Sequence, residues 1–219
     1  MAYIAGMDFH IDLNFSEIDL EKTEQYLKEI VCKYSDIIFR QETEVLVRLE
    51  DGSLKVKLAI VGAIYLGIGE YGSFRSGIDY LIKDAKSLKE IVTSEIVRNG
   101  LNESDIIDGK RIYCDPDRIR RVLLAIDRLE SKKVVSKSEL LKEVSKIKSS
   151  IRNICDSIGE VDAGLFASSV SEKYWPDDRR IPEYVRRFQV IAREEDVAQP
   201  PVDSLSSTGV NKALQRTSR

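Results

Sequence analysis

Strict hydrophobic alternation, confined to the first quarter of the chain, limits most what this sequence can fold into. Met7, Phe9, Ile11, Leu13 and Phe15 are apolar, and Asp8, His10, Asp12 and Asn14 between them are polar. Period two sends the two sets to opposite faces of one strand, one against a core and one in water. From Ser16 to Tyr34 the period becomes helical. Leu20, Leu27, Ile30, Val31 and Tyr34 share a stripe, and acidic residues crowd the first turn, where the helix dipole favours them. Alternation returns in Val45, Val47 and Leu49 and again in Leu54, Val56 and Leu58, with Lys55 and Lys57 outward. Asp51-Gly52 between them is a hairpin signal, because a type I′ turn needs positive φ at both central residues. The opening therefore reads β-α-β-β.

From Ala59 onward the periods are helical. Ile60, Ile64 and Ile68 mark a short apolar helix, and after a break at Tyr71-Gly72-Ser73 a helix restarts with Ile78, Leu81, Ile82 and Ala85 inward. Ser87 and Glu90 have capping-box spacing and predict a new helix through Ile91, Val92 and Ile96, stopped in left-handed backbone at Asn99-Gly100. Asp115-Pro116 predicts the next start, a carboxylate cap followed by a residue with no amide to satisfy. Ile119, Val122, Leu123, Ile126 and Leu129 form that helix's stripe. Ser136 and Glu139 cap another helix, whose Leu140, Val144, Ile147, Ile151, Ile154 and Ile158 recur at alternating spacings of four and three up to Gly159. That run is too short for a coiled coil. It suits either a helix packed on its own domain or a seam between copies. Ile181, Tyr184, Val185, Phe188 and Ile191 fit a helix begun by Pro182. Beyond position 195 the chain is rich in Pro, Ser and Thr without period and is expected to be disordered. The expectation is one α+β domain over 1–195, sheet-forming over 1–58 and helical over 59–195, the helical bundle covering one face of the sheet, with a tail over 196–219.

With 42% hydrophobic and 32% charged residues the composition is that of a globular domain, and a net charge of −3 supplies no global drive towards nucleic acid or anionic membrane. The apolar run Leu58 to Ile68 is about half the ~20 residues a spanning helix needs. No signal peptide is read at the N-terminus. Cys32, Cys114 and Cys155 form no C-x-x-C pair, which suits a reducing cytoplasm and neither a disulfide framework nor a zinc site.

Three stretches are candidates for chemistry. Gly72-Ser73-Phe74-Arg75-Ser76-Gly77 is similar to the Gly-Ser opening of nucleotidyltransferase-fold enzymes, where the turn holds triphosphate and a following strand carries two metal-binding acids. That resemblance implies a ligand site at Tyr71, Gly72, Ser73 and Arg75. Asp79 and Asp84, however, are five apart in a helical pattern, and the run before the turn reads as helix, so the metal pair is missing. A joint between helices, capped by Ser73, is the competing reading and the preferred one. Asp8, His10 and Asp12 line one strand face about 7 Å apart. Such a row does not converge on one ion unless the strand bends, and the outward face of a half-exposed sheet looks the same. Arg118, Arg120, Arg121 and Arg128, with Arg111 upstream, make one side of a helix basic. Arg186 and Arg187 lie in a second cluster with Trp175, Tyr184 and Phe188. Cations interleaved with aromatic rings are what single-stranded nucleic acid requires, although Asp115, Asp117, Asp127, Asp177 and Asp178 offset the charge.

Asn211 to Arg219, Asn-Lys-Ala-Leu-Gln-Arg-Thr-Ser-Arg, resembles the translated recombination site that ends integron gene cassettes. The resemblance implies a mobile bacterial accessory gene, of the kind tied to stress, drug or phage survival. The expectation is a non-enzymatic cytoplasmic protein with no catalytic residues, metal or cofactor. It would act by protein contact and associate with itself through Leu140, Val144, Ile147, Ile151 and Ile154. The alternatives are nucleic-acid binding through Arg118, Arg121, Arg128, Arg186 and Arg187, and nucleotide binding at Tyr71 to Arg75.

Overall fold

The alternating segments pair as the polarity pattern requires. The structure, a computed structural model, describes residues 1–12, 19–50, 54–68, 73–99, 102–132 and 136–176, all within a unit spanning Met1–Arg180. Strand β1 (Ala2–Ile11) leads into helix α1 (Leu20–Phe39), then strands β2 (Glu44–Glu50) and β3 (Leu54–Gly62). A short helix α2 (Ile64–Ile68) and the long helix α3 (Phe74–Arg98) precede strand β4 (Ile106–Arg111). Helices α4 (Asp115–Ser131), α5 (Lys137–Ser157) and α6 (Glu160–Ser168) come next. The four strands form one antiparallel sheet in the order β2-β3-β1-β4. Read from the other edge the order is 4-1-3-2, so β-α-β-β-α-β up to Arg111 has the split β-α-β, or ferredoxin-like, connectivity.

The register explains which face is covered. Phe9 pairs with Val56, Met7 with Leu58 and Ala5 with Ile60, and Val45 sits opposite Ile60 on the other side. All of these are buried, as are Leu27 and Val31 of α1, Ile78, Leu81 and Leu88 of α3, and Ile119 of α4. Helices α1, α3 and α4 pack against strands of this sheet. The opposite face carries Arg48, Lys57, Asp8 and Lys110 in one row across the strands, and Glu50, Lys55 and His10 in the next. The α+β class, with an N-terminal β-α-β-β sheet and a helical bundle on one face, holds.

Several local expectations do not. The sheet does not end at 58, because β3 runs on to Gly62, and β4 adds a strand within the segment read as helical. Helix α1 continues beyond Tyr34, since its buried stripe of Leu27 and Val31 is extended by Ser35 and Phe39. Ser35 belongs inside because its hydroxyl donates to the Cys32 carbonyl at 3.1 Å and meets the Thr43 hydroxyl at 2.5 Å. No helix starts at Ser87. The stripe of Ala85, Leu88, Val92 and Ile96 passes through that position in phase, and packing overrides the capping signal. Asp115 does not cap its own helix either. Asp117 accepts from the Cys114 amide at 3.1 Å, while Asp115 reaches across the molecule to accept from the Tyr3 amide at 3.0 Å. The hairpin at Asp51-Gly52, the stop at Gly100, Leu13 to Phe15, the helix read over 181–191 and the tail 196–219 lie outside the described residues.

Candidate functional site

At the Gly-Ser segment the structure supports a joint. Ser73 caps α3, its hydroxyl accepting from the Ser76 amide at 3.3 Å. Arg75 reaches α4, donating to the Leu123 carbonyl at 3.3 Å and pairing with Asp127 at 2.8 Å. Gly77 has a packing reason to be glycine: a Cβ there would stand 2.9 Å from the Ile68 backbone, where α2 abuts α3. A strand does precede the segment, where the sequence pattern predicts helix, but α2 separates the two and Ser73 opens a 25-residue helix. Asp79 is paired with Arg120 at 2.7 Å. Asp84 on the same helix is half-buried, and its carboxyl is raised by burial against the opposing pull of Arg40 and Lys83. Neither acid faces a strand partner of its kind. Tyr71 and Gly72 lie outside the described residues.

Asp8 and His10 lie along β1 at successive outward positions, Asp8 in register with Lys57 and Lys110 and His10 in register with Lys55, so cations and not further ligands flank the row. Among the described residues no cluster of His, Cys, Asp and Glu could hold a metal ion. The Cys114 thiol is pushed up to about 12, by burial first and then by the charges of Asp117 and Asp115, so it stays protonated. Among the described residues no helix is long and apolar enough to cross a membrane.

The basic side of α4 is partly spent inside the molecule. Arg111 holds Asp117 through two hydrogen bonds of 3.0 and 2.5 Å. Arg118 pairs with buried Asp115 at 2.7 Å and also donates to the Ser157 hydroxyl at 2.7 Å and the Asn153 carbonyl at 3.3 Å, stapling the start of α4 to the end of α5. Arg120 holds Asp79. Arg121 and Arg128 form no ion pair with a described residue, and the Arg121 guanidinium lies 6.0 Å from the exposed Tyr113 ring. Partly buried Trp175 packs against the core, its indole N–H donating to the Ala167 carbonyl at 2.6 Å. It is not presented as a stacking platform. Arg186 and Arg187 lie outside the described residues.

On α5 the regular stripe divides. Ile147, Ile151 and Ile154 are buried by their own chain, Val144 is half-buried, and Leu140 and Leu141 are 42% and 62% exposed. The short connection between α4 and α5 makes them adjacent, and a groove of about 440 Å³ opens between them. Its floor is Val122, Ala125, Ile147 and Ile154, and Arg118, Arg121, Lys146 and Asn153 stand among its walls. Parts of two residue sets that the sequence suggested separately, Arg118 and Arg121 of the arginines and Ile147 and Ile154 of the stripe, thus line one groove. Each was visible as a helical spacing. That they face each other could be read only from how α4 packs against α5.

Comparisons with protein-family models, with curated proteins and with solved structures return no match. The split β-α-β connectivity carries no activity of its own, so function rests on the site.

Proposed function

We propose that this protein acts by contact with other proteins, including its own copies, and not by catalysis. The observation that carries this reading is exposed Leu140, at the N-terminal end of the stripe that is buried from Ile147 onward, with exposed Leu141 beside it. Leu140 continues an apolar track that has already found its partner inside the fold, and the two leucines make a small apolar patch of the kind an interface buries. The other candidates are committed elsewhere: Arg75 to Asp127, Arg118 to Asp115, and His10 to a row of cross-strand neighbours. The cassette-like tail fits an accessory bacterial role in the cytoplasm, working through a partner and not through a metabolite.

Sedimentation velocity at low and high micromolar concentration tests the reading. A faster species is expected to grow with concentration. Leu140→Ser and Leu141→Ser should each weaken it by about tenfold, since burying a leucine is worth about 1.5–3 kcal/mol and tenfold corresponds to ~1.4 kcal/mol. A monomer throughout would remove self-association.

A further inference from the structure

We infer that the α4–α5 groove receives an amphipathic helix from a different protein, one whose flank is acidic. The inference rests on the contact reading and names the partner's chemistry. Shape comes first. The groove runs from Arg118 to Ala125 on α4 and from Glu143 to Ile154 on α5. At 1.5 Å per residue the longer wall is about 16 Å, roughly three turns of a helix. The apolar floor of Val122, Ala125, Ile147 and Ile154 suits anchors spaced three and four apart. Arg128 on α4 and Leu140 on α5 extend the same two stripes by about one turn.

Charge selects the occupant. Arg121 has no carboxylate partner among the described residues, and Arg128 beyond it has none either. Among the described residues Lys146 is paired only with Glu143 three residues earlier, an exposed contact worth little, and Glu143 lines the groove as well. The surplus that attracts carboxylates is therefore carried by Arg121, with Arg128 beyond it. A second copy's α5 is a poor match, because its first ten residues carry Lys137, Lys142 and Lys146 against Glu139 and Glu143, the same sign as the groove. Nucleic acid is disfavoured too: among the described residues no aromatic side chain lines the groove, and Tyr113 beside Arg121 is a single exposed ring where successive bases need several.

The test uses fluorescence anisotropy with the full chain and three labelled peptides of about 18 residues, long enough to be helical. One carries a leucine stripe flanked by glutamates, one the same stripe flanked by lysines, and one the acidic composition scrambled. The glutamate-flanked stripe is expected to bind in the micromolar range, about tenfold or more tighter than the other two, and Arg121→Glu should weaken it by about tenfold. Arg121 is exposed, so unchanged melting of that variant shows that the fold is intact. Equal binding of the lysine-flanked peptide, no binding of the glutamate-flanked one, or indifference to Arg121→Glu would overturn the inference. So would a labelled oligothymidine that binds in an Arg121-dependent way while the acidic peptide does not. If the peptides fail while sedimentation still shows association, contact between copies stands and only the acidic partner falls.

Discussion

Asp117→Ala is expected to destabilise the protein by about 3–5 kcal/mol, the cost of breaking a buried ion pair from one side. In a domain of this size that lowers the melting temperature by roughly 10 °C or more. The side chains of Arg111 and Asp117 are only 14% and 9% exposed, so the guanidinium left behind cannot regain full hydration. The loss is compounded at the Cys114 amide, which donates to Asp117 at the start of α4. The same pair ties the end of β4 to the first turn of α4, so the damage falls where the sheet hands over to the groove-forming helices. Replacing both partners, as Arg111→Met with Asp117→Leu, should cost distinctly less than the single change, because no charge is stranded. Thermal melts of the three proteins check this. A loss under about 1 kcal/mol for Asp117→Ala would mean that the pair behaves as a surface contact.

The second large effect concerns Asp162, a buried acid on α6 that caps the far-off start of α2 by accepting from the Tyr65 amide at 2.8 Å. Burial raises its carboxyl above the ordinary value of 3.8, and the amides of Tyr65 and Ile64 oppose the shift without cancelling it. An acid whose folded pKa lies above its unfolded one binds more protons when folded. Its contribution is therefore fully present below the unfolded pKa and is lost as pH rises through the folded one. The wild type should accordingly lose stability relative to Asp162→Asn as pH climbs from about 3 upward, since the amide cannot ionise. Asp162→Ala should lie below both by about 1–3 kcal/mol at low pH, where its only defect is the orphaned amides of α2. Urea denaturation across a pH series measures both. A wild type that gains on Asp162→Asn with rising pH would show that the buried carboxylate is stabilised as an anion.

These two acids also show where the sequence could and could not be read. The β-α-β-β opening was legible because alternation and helical period are local, and Val56 and Leu58 announce their face without help from the rest of the chain, whereas Ile60, whose spacing to Ile64 and Ile68 reads as helix, belongs to β3. Strand β4 was not. Ile106 to Arg111 is short, has no clean alternation and contains Gly109, which a strand ordinarily disfavours. The glycine makes sense only in three dimensions, where a Cβ would stand 3.3 Å from the Phe9 ring. Lys89 then covers the edge by donating to the Gly109 carbonyl at 2.5 Å, a device that blocks further pairing. Asp115 misled in the same manner: its place before Pro116 is that of a cap, yet its partner is Tyr3, on the other side of the sequence. Of the candidate site, the two stripes on α4 and α5 were legible and the groove between them was not, because a groove is a relation between elements. Part of the arginine cluster lost its meaning for the same reason, once Asp79, Asp115 and Asp117 were found holding Arg120, Arg118 and Arg111.

Hydrogen–deuterium exchange at low and high micromolar protein concentration tests the contact account most directly. Association through the open end of α5 predicts slower exchange at high concentration over residues 137–146, with the edges of β2 and β4 unchanged. Exchange indifferent to concentration, or protection gained only along those strand edges, would contradict it.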